Sequence, residues 1–276
     1  MPGEQEISAH YTHGDLTAAI RSGIEKLGKT PDSVTVDDLS PVDEFHIGGR
    51  EASEHFLDQF GLTPDKQVLD VGCGLGGPAR FVARRYGCRV DGIDLTAEFV
   101  ETGTTICKWV GLENRILLHQ GSALSMPFAD GSFDAAYMLH VGMNIEDKAG
   151  LCAEVGRVLR SGALFGIYDV MKTGDGEMIF PAPWATTPRS SALATLRQYR
   201  DALQAAGFVE TAELNRREFA LAFFEQLRAK TMATGGPPPL GLHILMGQNA
   251  PEKIQNMIQS IAKGIIAPVE LISRKA

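Results

Sequence analysis

The segment Val68-Leu-Asp-Val-Gly-Cys-Gly-Leu-Gly-Gly-Pro78 constrains this chain more than any other. A short apolar run enters a glycine cluster, and Pro78 begins what reads as a helix over 78–86, stopped by Gly87. Glycine permits the sharp turn and lets a ligand lie against bare backbone N–H groups. Asp94 ends the next expected strand, where a carboxylate accepts hydrogen bonds from ribose hydroxyls. Strand, loop, helix and acid together predict a nucleoside-containing cofactor. The spacing Gly72-x-Gly74-x-x-Gly77 also satisfies the dinucleotide fingerprint, so a nicotinamide-dependent dehydrogenase competes. Tyr168-x-x-x-Lys172 has the residues for hydride chemistry. Along a strand, however, such side chains lie roughly 13 Å apart and cannot share one substrate oxygen.

The same alternation continues along the chain. Strands are expected at 67–71, 89–94, 115–119, 133–139, 163–170, 208–214 and 268–273. Helices are expected at 16–27, 50–60, 97–110, 148–159, 193–206 and 217–230, with a polar stretch reaching Pro41 and a loop at 43–49. A last helix carries Ile254, Met257, Ile258, Ile261 and Ile265 at three- to four-residue spacing. This is α/β grammar: a βαβ-built parallel sheet covered on both faces.

Composition excludes several classes. With 26 basic and 34 acidic residues the net charge is −8, and no Lys/Arg run offers a footprint for nucleic acid or an anionic membrane. Cys73, Cys88, Cys107 and Cys152 form no C-x-x-C pair and no disulfide framework. The first residues lack a signal-peptide pattern, and no stretch approaches the ~20 apolar residues of a membrane span. A cytoplasmic protein is expected. Cys73 lies near a helix N-terminus, so it is either a thiol of lowered pKa or simply a small residue that fits the loop.

Two features favour a cofactor other than a dinucleotide. Asp70 stands two residues before the first glycine, where it can face a cationic amino group, and Gln120-Gly-Ser-Ala-Leu-Ser-Met-Pro-Phe128 forms a polar turn after the third strand. With Asp130-Gly-Ser-Phe-Asp-Ala135 and Arg157-Val-Leu-Arg-Ser-Gly162, the chain resembles the class I S-adenosylmethionine (SAM) dependent methyltransferases over roughly 62–214. The resemblance implies a Rossmann-like, doubly wound seven-stranded sheet, mostly parallel with the last strand antiparallel. It also implies SAM as cofactor, S-adenosylhomocysteine as product, and Asp70, Gly72, Gly74, Asp94, Leu95, Ser122 and Ala123 as cofactor contacts. Ser122 stands where such families usually carry Asp for the adenine amino group; it can accept that bond but supplies no charge. Ser161 and Ala163 replace the usual Pro and Gly before the fifth strand.

Phe45-His-Ile-Gly-Gly49, Ile93-Asp-Leu-Thr96, Met143-Asn-Ile-Glu-Asp-Lys148 and Phe180-Pro-Ala-Pro-Trp-Ala185 look like the small-molecule branch. That branch includes sarcosine/dimethylglycine N-methyltransferases and ubiquinone/menaquinone-type C-methyltransferases. It implies a helical N-terminal lid over 1–60, with His46 and Gly48 at the cofactor's methionine end and Tyr11 over the methyl group. A domain over 61–276 would follow, with cap insertions at about 172–206 and 215–266.

Methyl transfer is an in-line displacement, for which positioning matters most. Where the acceptor needs a base, His140 and Asp169 are candidates, at the ends of the fourth and fifth strands. His140 reads equally as a cap or cofactor wall, and Asp169 as a satisfied loop carboxylate. Asn144 and Trp184 would line the acceptor pocket or simply pack. Arg189, Arg197 and Arg200 would clamp a carboxylate or lie on a solvated face. His10-x-x-His13 lacks companion ligands, so no metal site is expected. The expected partner is a small-molecule acceptor (amine, hydroxyl or activated carbon). A catalytically silent SAM-binding regulator is the alternative from another class. The 254–265 stripe would be cap core or a homodimer contact.

Overall fold

The computed structural model describes residues 3–247 and 249–276. Seven apolar runs become β1 (Gln67–Val71), β2 (Arg89–Asp94), β3 (Ile116–Gln120), β4 (Phe133–Leu139), β5 (Leu159–Lys172), β6 (Phe208–Asn215) and β7 (Ile266–Lys275). They form one sheet in the order β3-β2-β1-β4-β5-β7-β6. β1 to β5 run parallel, and β7 pairs antiparallel with both β5 and β6. The chain leaves β1 towards β2 and β3, and leaves β4 towards β5. The crevice above the β1 and β4 carboxyl ends is therefore the topological switch point, where open α/β sheets take ligands.

Helices α1 (Glu4–Tyr11), α2 (Leu16–Lys26), α3 (Val36–Asp43) and α4 (Gly49–Leu57) precede the sheet. Between and beyond the strands lie α5 (Gly77–Tyr86), α6 (Ala97–Trp109), α7 (Lys148–Val158), α8 (Leu196–Ala205), α9 (Arg217–Thr234), α10 (His243–Met246) and α11 (Ala250–Ala262). One core joins Leu151, Val155, Tyr199 and Leu203 to the sheet residues Phe165, Ile167 and Leu271. Phe56, Phe81 and Val82 cover Val68, Val90 and Tyr168 in another core. Leu16, Ile20 and Ile24 of α2 pack with Leu39, Val42, Phe99 and Ile106. Of the first sixty residues, α2 to α4 are thus part of the body, while α1 buries no residue and lies over the crevice. No described helix is long and apolar enough to cross a membrane.

Three helices lie outside the expected set: α1, α3 and α10. In α3, Pro41 cannot donate to the Asp37 carbonyl, but the Ser40 hydroxyl does so at 3.1 Å, and a Thr35–Asp38 capping box starts the helix. β5 begins earlier than expected, through a register irregularity with Gly162 at φ 78°. α8 packs over the sheet through Tyr199, Ala202 and Leu203. α9, α11 and the 178–185 segment enclose a separate apolar cluster with Trp184, Phe224, Met257, Ile261 and Ile265. The 254–265 stripe is core of this cap.

Candidate active site

The glycine loop leaves β1 with Gly72, Gly74 and Gly76 at φ 72°, 52° and 76°. The Gly72 and Cys73 amides bond the Ile93 carbonyl at 2.8 and 3.0 Å, which folds the loop back over β2. A Cβ on Gly72 would sit 2.4 Å from the Val141 methyls, and one on Gly77 2.2 Å from the Asp43 carbonyl. Packing alone demands these two glycines. Asp94 accepts from the Gly74 amide at 2.9 Å and the Thr96 amide at 2.8 Å, so it shapes the loop from the end of β2. Burial pushes its carboxyl up, against those backbone bonds.

Asp70 is 2% exposed, and its Oδ2 has no hydrogen-bond partner. Burial pushes its pKa up to about 8, helped by the charges of Asp94 and Glu44 and opposed by Tyr137 and Arg80. An orphaned buried carboxylate oxygen at the glycine loop fits a cationic amino group. Cys73 takes the packing reading: burial, then the charges of Asp94 and Asp70, push its thiol well up. Desolvation outweighs the helix terminus, and all four cysteines are free and buried.

The 43–50 segment is fastened to this loop by charge. Arg80 and Asp43, both wholly buried in their side chains, pair at 2.6 Å. Glu44 accepts from Arg50 at 2.6 Å and Ser53 at 2.5 Å. His46 Nε2 lies 3.0 Å from the Gly49 carbonyl, to which it donates. Gly48, at φ 93°, starts α4, and a Cβ there would meet the Phe219 ring at 2.5 Å. Close approach of Phe219 accounts for this glycine.

His140 is the one described non-glycine residue with left-handed backbone, at φ 55°. Such conformations concentrate at functional sites. Its Nδ1 lies 3.2 Å from the Tyr168 carbonyl, and its Nε2 accepts from the Ile47 amide at 3.3 Å. A carbonyl needs a donor and an amide an acceptor, so these partners select the Nδ1–H tautomer and occupy both nitrogens. Burial, reinforced by His46, lowers its pKa to about 3; burial lowers that of His46 to about 4. Neither ring titrates near neutrality. The rate profile is therefore expected to show no histidine ionisation between pH 6 and 8, and a step there that His140→Gln abolishes would refute this. The Tyr168 hydroxyl donates to the Ile47 carbonyl at 2.9 Å, whereas Lys172 is exposed. The dehydrogenase-like pair does not assemble.

Asp169 lies within β5 rather than at its end, wholly buried, because the strand continues to Lys172. It accepts from the Tyr199 hydroxyl and, at 2.9 Å, from the Val170 amide. Burial pushes its pKa up to about 6, opposed first by the Tyr199 bond and then by Lys148. Lys148 in turn donates to the Ile145 and Ala192 carbonyls, and the Ala192 amide bonds the Met143 carbonyl at 2.7 Å. This network braces the turn that carries Asn144, whose Nδ2 donates to the Tyr11 hydroxyl at 3.1 Å. Tyr11 also packs edge-on to Phe45 and against Phe99. Trp184 is buried in the cap, donating to Ser191 at 3.0 Å.

Arg197 and Arg200 take the solvated reading, paired on the surface with Asp201 and with Glu210 and Glu213; Arg189 is exposed. His10 contacts the Pro183 carbonyl at 3.2 Å. The Ser122 hydroxyl accepts from the Leu124 amide at 3.1 Å and donates to Glu4, while Ala123 packs against the sheet core. Leu95 and Gln120 face α1 across a groove of about 630 Å³. Sequence reasoning missed Glu4, Arg80 and Tyr199. No local pattern distinguishes a lid acid, or an arginine and a tyrosine whose partners lie 37 and 30 residues away.

Comparison with known proteins agrees with this geometry. Residues 69–167 match the family described as "Methyltransferase domain". A sterol 24-C-methyltransferase of Gibberella zeae is 36% identical over 121 residues, which is 44% of this chain and 32% of that one. The methyltransferase GfsG of Streptomyces halstedii is 28% identical over 62% of this chain and 59% of its own. The chain thus spans about a third of the sterol methyltransferases' length and somewhat over half of GfsG. Among solved structures, a geranyl diphosphate C-methyltransferase from Streptomyces coelicolor A3(2), with Mg2+, geranyl diphosphate and S-adenosylhomocysteine, superposes with a TM-score of 0.72. That alignment covers 100% of this chain and 98% of the other at 19% identity, and it shows the shared fold. Residues 69–167 therefore match a methyltransferase domain, within a chain that shares the fold of the S-adenosylhomocysteine-bound neighbour.

Proposed function

We propose that the protein transfers the methyl group of SAM to an apolar small molecule. The observation that carries this is the orphaned, buried Asp70 oxygen beside the glycine loop at the switch point, with an apolar cap packed next to the crevice. On one side stand Asp70, Asp94 and the glycine backbone, a set suited to an amino acid and a ribose. Behind the other wall, inward from Ile47 and Met143, the cap residues Val170, Trp184, Phe224, Met257 and Ile261 pack against one another as an apolar core. The curated relatives named for carbon methylation of a sterol support a hydrocarbon-rich acceptor and attack by carbon.

When bound, the cofactor supplies a methyl group on a sulfonium, activated for in-line displacement. The chain's own residues bind, orient and exclude water. Asp70 receives the cationic amino group and Asp94 the ribose. Tyr11 and Asn144 close the methyl side as a hydrogen-bonded pair, and α1 covers the crevice. His140 and Asp169 act as positioning residues in this reading. The first holds the 46–49 segment against β4, and the second holds the Gly142–Asn144 turn against α8. Holding acceptor and methyl group in line is worth roughly 7–11 kcal/mol of barrier.

Turnover tests the reading: S-adenosylhomocysteine should accumulate with some member of a panel of prenyl, polyene and sterol-like acceptors. Tight SAM binding with no release across that panel would instead favour the silent regulator. Asp94→Ala is expected to weaken S-adenosylhomocysteine binding by about tenfold or more, since it removes a charged acceptor and loosens Gly74. Calorimetry measures this, and an unchanged dissociation constant removes Asp94 from the site.

A further inference from the structure

We infer that Glu4, on the lid helix α1, supplies the acceptor for the amino group of the cofactor's adenine, so that the base is fully recognised only when the lid is in place. The inference rests on the reading that the site takes a SAM-type cofactor.

The sheet order sets the geometry. Asp94 at the end of β2 marks the ribose, and β3 is the next strand outward, so the base extends towards Gln120, Gly121 and Ser122. A groove of about 630 Å³ lies in this place, walled by Leu95 and Gln120 below and by Glu4, Gln5, Ser8, Ala9 and Thr12 of the lid segment above. That volume suits a nucleoside. Leu95 offers an apolar face to a purine ring. The exocyclic amine of adenine, however, is a donor and needs an acceptor. Ser122, at the groove's edge, already accepts from the Leu124 amide and donates its proton to Glu4. Its hydroxyl therefore aims the carboxylate. Glu4 is the one acid among the residues lining the groove, and bonds to a charged acceptor are roughly twice as strong as neutral ones.

The same contact couples the lid to the cofactor. α1 buries no residue, so its own packing holds it weakly. It is tied down by Glu4 to Ser122, by Tyr11 to Asn144 and by His10 to Pro183. Glu98 then anchors the following chain through the His13 and Leu16 amides. An adenine held between Glu4 and the end of β3 adds a bridge across this groove between lid and sheet. The base and the lid stabilise each other.

Calorimetry with S-adenosylhomocysteine and S-inosylhomocysteine tests this directly, because hypoxanthine places a carbonyl oxygen where adenine has its amine. The wild type is expected to prefer the adenosyl compound by about tenfold or more. Glu4→Gln, whose amide can donate to the carbonyl, should bring the two within about threefold of each other. Glu4→Ala should weaken the adenosyl compound selectively and reduce its protection of residues 4–12 from hydrogen exchange. A wild type without preference, or a preference that survives Glu4→Gln, overturns the inference and leaves the cofactor reading intact. Failure of the wild type to bind S-adenosylhomocysteine at all overturns both.

Discussion

Asp70→Asn is expected to raise the thermal midpoint of the ligand-free protein while weakening SAM binding by roughly ten- to a hundredfold. The two effects have one cause. The native pKa of about 8 lies far above the ordinary 3.8 because the buried carboxylate has no cation opposite its Oδ2. A carboxyl raised in this way favours the native state below its unfolded pKa, and that advantage is lost as pH rises through about 8. The ligand-free wild type should therefore lose stability from about pH 4 to pH 8, and the variant should lose less. The cofactor's ammonium supplies the missing cation, and the bond lost in the variant belongs to the charge-assisted class, worth about 1.5–3 kcal/mol. Binding should also release up to one proton at neutral pH, so affinity should rise with pH. Melting curves at pH 5.5 and 8.5, and calorimetry in buffers of different ionisation enthalpy, read these out. A gap in melting temperature that ignores pH, or binding without proton release, would sink the assignment.

Arg80→Met should be the most destabilising exchange outside the apolar core. Arg80 and Asp43 are each fully enclosed, and removing the guanidinium leaves a buried carboxylate without compensation, beside Glu44. Breaking such a pair costs about 3–5 kcal/mol, or roughly 6–20 °C for a chain of this size. Because Asp43 also touches Gly77 of the cofactor loop, the variant should hold S-adenosylhomocysteine less tightly. Pairing it with Asp43→Asn should return part of the stability, since no unpaired charge then remains. Denaturant midpoints for the single and double variants decide the matter; a loss below about 1 kcal/mol for Arg80→Met would show that the ion pair contributes little.

The central strands were legible to within a residue or two because their signals are local. β1, β2 and β4 are short apolar runs bounded by glycine or acid. The capping box at Thr195 and Gln198 was equally open to reading, yet the expected helix began at 193 instead of Leu196. α3 was misread for a specific reason. Pro41 is a strong breaker, and only the side chain of Ser40, placed by the helix itself, takes the carbonyl that Pro41 leaves unpaired. α1 has no buried stripe to read, because it is held by single polar contacts and by Tyr11 packing on Phe45 and Phe99.

The candidate site divides in the same way. Composition, spacing and motif order were enough for the α/β class, the glycine loop and the acids at positions 70 and 94, since a turn that bares its backbone and a strand that ends in a carboxylate are written within thirty residues. Tertiary structure alone decided what the remaining polar groups do. His140 meets Ile47 and Tyr168, Asp169 meets Tyr199, and Glu4 meets Ser122 across 118 residues of chain. Whether an imidazole keeps a free lone pair, or a lid acid finds its hydroxyl, depends on which distant segments the sheet order brings together, and no local pattern carries that.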